Sequence, residues 1–125
     1  GGSPELTQSI VTAFIKEGHF ARHIQRMRKL YAERREAASA GLANVLGKRV
    51  RIDALPGGMH LILRLSGRQS DRKLMLRMRE EGLFAEALSE WTQRGKGTSA
   101  LLVNFTNIDS RATAEKLGKR ILSLM

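Results

Sequence analysis

The chain has no cysteine and only two prolines. Without cysteine there is no disulfide framework and no thiol chemistry, which suits a reducing compartment without requiring one. Aromatic residues are scarce as well: four Phe, one Tyr and one Trp. Most fall at positions that suit a core, which leaves no platform on which successive bases of a nucleic-acid strand would stack. No apolar run approaches the roughly 20 residues needed to cross a bilayer. No secretory leader is visible, so the expected location is the cytoplasm, with no membrane partner. Acids are few against bases, 12 to 22, for a net charge of +10.

Such a balance is the usual footprint of a nucleic-acid partner. Its layout weakens that reading. The bases are spread through Arg22, Arg26, Arg28, Lys29, Arg34 and Arg35, then Arg49, Arg51 and Arg64, then Arg72, Lys73, Arg77 and Arg79, then Lys116, Lys119 and Arg120, with Glu17, Glu33, Glu36, Glu80 and Glu81 mixed in. A phosphate-binding face is one reading. Solvated helix backs, with some surface that another domain would cover, is the other and simpler one.

What is present in quantity is apolar periodicity. Ser3 before Pro4 reads as a helix start, a hydroxyl cap followed by Pro at the first helical position. Leu6, Ile10, Val11 and Phe14 make its apolar side. At Gly18 the spacing loses phase, and a helix break is expected there. A second helix is expected from Phe20 to Leu46, about 27 residues or ~40 Å. Its stripe is Phe20, Ile24, Met27, Tyr31, Ala38, Leu42 and Val45. Arg49–Ala54 alternates as a half-buried strand, 55–58 is a turn, and Met59–Leu65 is a second strand that closes a hairpin. Ser70 caps a short helix, Asp71 to Glu81, which Gly82 ends; Asp71 suits the positive end of its dipole. Leu74, Met75 and Met78 face inward. Leu83 to Leu88 is a short extended piece, and Ser89 to Thr98 a polar loop. Ala100–Thr106 is the most apolar strand and is expected to be central. Asp109 or Ser110 caps a last helix, whose inward side is Ala114, Leu117, Ile121 and Leu124.

The expected fold class is therefore α+β in two layers: a small mixed sheet of three or four strands, helices on one face, and a long helix before it. The strand–helix–strand joint implies some parallel pairing and the hairpin antiparallel pairing.

No complete catalytic set appears. His19 and His23 are four apart, but no third ligand stands at a diagnostic spacing, so they read as ordinary polar helix residues and no metal site is expected. His60 lies on the strand face opposite the apolar row, with no Ser, Asp or Glu tied to it by spacing. Gly57-Gly58 lacks both the Walker and the dinucleotide patterns and reads as a hairpin turn. Ser89 and Trp91 sit in a loop after a strand, where sites often occur. Arg94-Gly95-Lys96-Gly97 is a basic loop. The residues alone lead to a soluble basic α+β domain that is a piece of something larger.

Four stretches in order carry a resemblance. The first is Phe14–Arg35, with His23, Arg26, Arg28, Tyr31, Arg34 and Arg35. The second is Pro56-Gly57-Gly58-Met59-His60-Leu61. The third is Glu81-Gly82-Leu83 with Ala87-Leu88-Ser89-Glu90-Trp91. The fourth is Ala100–Thr106 with the closing helix. Together, from about Leu6 to Leu124, they resemble the C-terminal small domain of fold-type I pyridoxal-phosphate (PLP) enzymes. The nearest likeness is to the aminotransferase-like part of MocR/GabR-type transcriptional regulators of the GntR family.

Residues 1–3, Gly1-Gly2-Ser3, read by their own composition and apart from the resemblance as a cloning remnant. The resemblance implies the following. Residues 4–125 form one aminotransferase-like domain, with 4–46 a helical lead-in and long linking helix and 47–125 the sheet and its helices. An upstream large domain would bind PLP, and a winged-helix domain before it would bind DNA. The parent would be a homodimer that meets DNA only through that winged helix. The cofactor lysine lies outside this chain, so no catalytic or PLP-binding residue is expected in it. The small domain would supply half of a ligand cleft, with Ser89, Trp91, Leu102 and Asn104 near it. In many aminotransferases an Arg on the last strand grips the substrate carboxylate. Its place here is held by Leu102, which fits a sensor better than an enzyme. The alternatives are the small domain of a true PLP-dependent aminotransferase and a basic nucleic-acid-binding module.

Overall fold

A computed structural model describes residues 4–54, 57–91 and 99–125, and the side chains of 4–11, 13 and 14 are outside the description. The cap at Ser3, the apolar side Leu6, Ile10, Val11 and Phe14, the Leu55-Pro56 half of the hairpin turn and the basic loop at 94–97 therefore lie outside the described residues.

The first helix, α1, runs Pro4–Leu46 without interruption. The break expected at Gly18 is absent. Gly18 is not among the glycines with positive φ, and a Cβ placed on it would meet nothing within 4 Å. Glycine inside a helix costs backbone entropy, about 1 kcal/mol, but does not forbid the helical conformation. Gly18→Ala is accordingly expected to stabilise α1 by about 0.5–1 kcal/mol, seen as a stronger helical circular-dichroism signal and a higher urea midpoint.

The chain divides into two compact units, Gly1–Tyr31 and Ala32–Met125. In the first, Ile15 and Phe20 are exposed, while Ile24, Met27 and Tyr31 are half-buried. In the second, the remainder of α1 leads through a 3-10 turn, Gly47–Arg49, to the sheet. The strands are β1 (Val50–Ala54), β2 (His60–Leu65), β3 (Glu86–Ala87) and β4 (Ala100–Asn104). The helices are α2 (Asp71–Glu80) and α3 (Arg111–Leu124).

The strand order is β1-β2-β4-β3, and every neighbouring pair is antiparallel. The α+β class and the central place of β4 are as expected from the sequence; the mixed pairing is not. The reason lies in where β4 enters. Because β4 runs against both β2 and β3, those two run the same way, as a strand–helix–strand joint requires. But β4 lies between them, which makes a split β-α-β unit. The most apolar strand takes the position paired on both sides, and the two-residue β3 is left at the edge.

One face of the sheet carries Leu61 and Leu63 of β2, Leu101 and Val103 of β4, and Ala87 of β3, all buried. Against it lie Leu74, Met75 and Met78 of α2, Ala114 and Ile121 of α3, and Ala38, Leu42 and Leu46 of α1. Each fully buried Leu, Ile, Met or Phe contributes about 1.5–3 kcal/mol. Of the apolar row anticipated in the second strand, Leu61 and Leu63 are buried, while Met59 is exposed and Leu65 half-buried. Ser70 caps α2 by accepting from the Lys73 N–H at 3.2 Å, and Ser110 caps α3 by accepting from the Thr113 N–H at 3.1 Å.

Candidate functional site

Among the described residues the opposite face of the sheet is open, and the pairing register lays it out row by row. His60 stands beside Asn104, and Leu102 stands between Ile62 and Glu86. Ile62 and Leu102 are only half-buried, and Asn104 and Glu86 are exposed. Two residues of this face therefore carry hydrocarbon to solvent while their neighbours carry hydrogen-bonding groups. A concavity of about 290 Å³ lies there, lined by His60, Arg79, Phe84, Glu86, Leu102 and Asn104. Arg79 comes from the last turn of α2. Phe84, 80% exposed, comes from the segment that leads into β3.

Asn104 is held in one orientation. Its Oδ1 accepts from the Thr106 N–H at 2.8 Å and from the Thr106 hydroxyl at 2.6 Å. A backbone N–H can only donate, so the carbonyl end of the amide must face Thr106 and its NH₂ must face away. The turn after β4 is tied in addition to α1, because the Arg34 guanidinium donates to the Thr106 carbonyl at 2.6 Å.

The sequence-predicted residues fall into three places. Leu102 and Asn104 share the concavity. Trp91, 70% exposed, lines a second concavity of about 370 Å³ with Met75, Arg79, Glu86 and Glu90. Arg79 and Glu86 are common to both. Ser89 is turned instead toward Asp71: its hydroxyl donates to Oδ1 at 2.6 Å and its N–H to Oδ2 at 3.0 Å.

Asp71 is the one buried charged side chain among the described residues, 3% exposed. Its carboxylate also accepts from the Ala100 N–H at 3.1 Å and the Arg72 N–H at 2.7 Å. Burial pushes its carboxyl up. The donors on Ser89, Ala100 and Arg72 outweigh that and hold it below the ordinary value. This node fixes the starts of α2 and β4 and the turn that carries Trp91. The Asp53 carboxyl is lowered chiefly by the hydrogen bond from Arg64. That of Asp109 is lowered chiefly by the Thr113 hydroxyl.

Sequence reasoning missed Arg79, Phe84 and Glu86 as neighbours of Leu102. No spacing connects them, since they meet only through the insertion of β4 beside β3. His60 was placed on the correct face by alternation alone.

Solved structures share this fold. The alpha-aminoadipate aminotransferase LysN of Thermus thermophilus, complexed with N-(5'-phosphopyridoxyl)-L-leucine, superposes with a TM-score of 0.67 at 26% identity. The match covers 98% of this chain and 33% of that one. This is an aminotransferase-like small domain. A kynurenine aminotransferase of Pyrococcus horikoshii shares the domain's fold at 21% identity, with a TM-score of 0.69 over 88% of this chain and 28% of that one.

Among sequences, the aminotransferase-like domain is 30% identical to the probable rhizopine catabolism regulatory protein MocR of Rhizobium meliloti over 88% of its length. It is 28% identical to the 2-aminoadipate transaminase of Thermus thermophilus over 98% of its length. It is 26% identical to the uncharacterized HTH-type transcriptional regulator YdeL of Bacillus subtilis over 90% of its length. The domain spans 22%, 32% and 24% of those three proteins. No protein-family model matches it. Among the described residues, no helix is long and apolar enough to cross a membrane.

Proposed function

We propose that this domain is the C-terminal, effector-sensing part of a MocR/GabR-type bacterial transcriptional regulator and forms half of its ligand cleft. The observation that carries the reading is the open sheet face. It is a concave wall of mixed chemistry whose central strand presents Leu102 where the resemblance leads one to expect a substrate-gripping arginine. Likeness to MocR and to YdeL, both regulators by name, supports it.

In this reading PLP belongs to the full-length cytoplasmic protein and is seated on an upstream large domain. Among the described residues the concavity contains no lysine, so its donors do not fit the aldehyde of PLP. They suit the opposite wall, the one that meets an amino compound. Ligand affinity must differ between open and closed arrangements for binding to reposition the DNA-binding domains of a homodimer. Ser89 serves this site at one remove, by holding the turn that presents Trp91.

A second reading has a specific observation behind it. The match to a transaminase covers nearly the whole chain, which favours the small domain of a working PLP-dependent aminotransferase. The test is on the full-length protein. Expected are a winged helix upstream, promoter DNA binding in a gel-shift titration that an amino compound alters, and slow or absent amino-group turnover. A parent without a DNA-binding segment that turns over an amino acid steadily overturns the regulator in favour of the enzyme. Tight, salt-sensitive DNA binding by residues 1–125 alone would favour a nucleic-acid module instead.

A further inference from the structure

The concavity has one strong cation, Arg79, which forms no ion pair among the described residues. It has one amide whose NH₂ is turned away from its own backbone partner, Asn104. Between and beside these stand the apolar surfaces of Leu102 and Phe84. We propose that Arg79 and Asn104 form a carboxylate-binding pair, with α2 supplying the cation that β4 lacks at Leu102, and that the occupant is a monocarboxylate with an apolar tail.

The chemistry follows from the parts. A guanidinium offers several N–H donors in a plane that matches a carboxylate, and a charge-assisted hydrogen bond is roughly twice as strong as a neutral one. The Asn104 amide needs no reorientation to donate, because Thr106 has already set it. A hydrocarbon tail would cover Leu102 and Phe84, which are otherwise wetted. Glu86 lies on the same rim, and its charge disfavours a second carboxylate on the ligand. The pairing explains how a chain with no arginine on β4 keeps a cation over the same wall.

The inference rests on the reading of this face as half of a ligand cleft, and its test can fail independently of that reading. The full-length protein is titrated calorimetrically with L-leucine and with isopentylamine, which is leucine without its carboxylate. Both probes carry an amino group, so any capture by PLP is common to them and cancels in the ratio of affinities. The expected result is a preference for leucine of about 10- to 100-fold, the worth of one or two charge-assisted hydrogen bonds. L-2-aminoadipate should bind more weakly than leucine.

Arg79→Met keeps the aliphatic stem and should bring the leucine preference close to one. Asn104→Asp keeps the acceptor that Thr106 needs while removing the donor, and should lower the preference by about tenfold or more. Both changes are on exposed side chains, and an unchanged melting temperature shows that the fold is intact. Wild-type protein that does not distinguish the two probes, or binds neither at millimolar concentration, overturns the pair. So does an Arg79→Met variant with the preference intact. Should the parent prove to be an enzyme with an Arg79-dependent preference, the regulator falls and the pair stands. Should it be a regulator whose preference ignores Arg79, the reverse holds.

Discussion

Replacing Asp71 by asparagine is expected to destabilise the folded chain by roughly 3 kcal/mol, the scale of losing charged hydrogen bonds and leaving buried donors unmet. The carboxylate accepts from Arg72 N–H and Ser89 hydroxyl on one oxygen, and from Ser89 N–H and Ala100 N–H on the other. Every partner is a donor. In asparagine one of the two oxygens becomes an NH₂, which sets donor against donor whichever way the amide turns. Asp71 and Ala100 are almost wholly covered, so the mismatched groups are largely shielded from solvent. A lower urea midpoint with an unchanged slope is the expected reading.

The same node sets an acid limb. Asp71 has a folded value depressed below the ordinary 3.8. Its contribution to stability is therefore complete above the ordinary value and is lost as the pH falls through the depressed one. Asp53 and Asp109 are depressed as well, so they add to the limb in the same direction. The Asp71→Asn variant should show a shallower loss of stability below about pH 4 than the parent chain. An equally steep acid limb in the variant would show that Asp71 does not contribute to it.

The second large effect is expected at Gly41. There α1 and α3 approach so closely that a Cβ on residue 41 would lie 2.5 Å from the Ala114 Cβ and 2.6 Å from the Arg111 carbonyl oxygen. One of those obstacles is backbone, so the helices themselves must separate. Overpacking of this kind typically costs about 1–3 kcal/mol, and a rigid wall sets it at the upper end. Alanine recovers about 1 kcal/mol of helix propensity. Gly41→Ala should therefore lose about 2 kcal/mol net, the difference of those two figures. Gly118→Ala is the matched control. The nearest atoms to its Cβ would be those of the Val45 side chain, at 3.0, 3.3 and 3.5 Å, with no backbone atom as near, so the crowding is milder than at Gly41. A near-neutral effect is expected there. Equal losses at both glycines in thermal melts would show that helix separation is not the cause.

Particular residues show how far the sequence could be read. The cap at Ser70 was legible because a hydroxyl before a charged turn has one dominant use, while the cap of the last helix was narrowed only to Asp109 or Ser110, and the structure gives Ser110. Leu61 and Leu63 were legible because alternation marks a half-buried strand whatever it pairs with, whereas the run from Ala100 to Thr106 is apolar throughout and showed a central strand without showing that Leu101 and Val103 face the core. Gly18 misled because local phase loss and a glycine look like a break, while the cost of continuing a helix through glycine is small. Arg34, one of the residues that carried the family resemblance, acquired a physical role only when its guanidinium was seen to hold the turn after β4. The candidate site was half legible. Leu102 and Asn104 came from one strand, whereas Arg79 and Glu86 came from elements whose neighbour was unknown.

The sequence by itself therefore determined the kinds of elements, the inward sides of the helices and of the hairpin's second strand, and the absence of an arginine on the last strand. Those are local properties of spacing and residue type. Only the tertiary structure decided that β4 enters between β2 and β3, that every pair is antiparallel, and that Arg79 overlooks Leu102. Strand order is set by which edges are buried together across the whole sheet, and nothing within one segment encodes its neighbour.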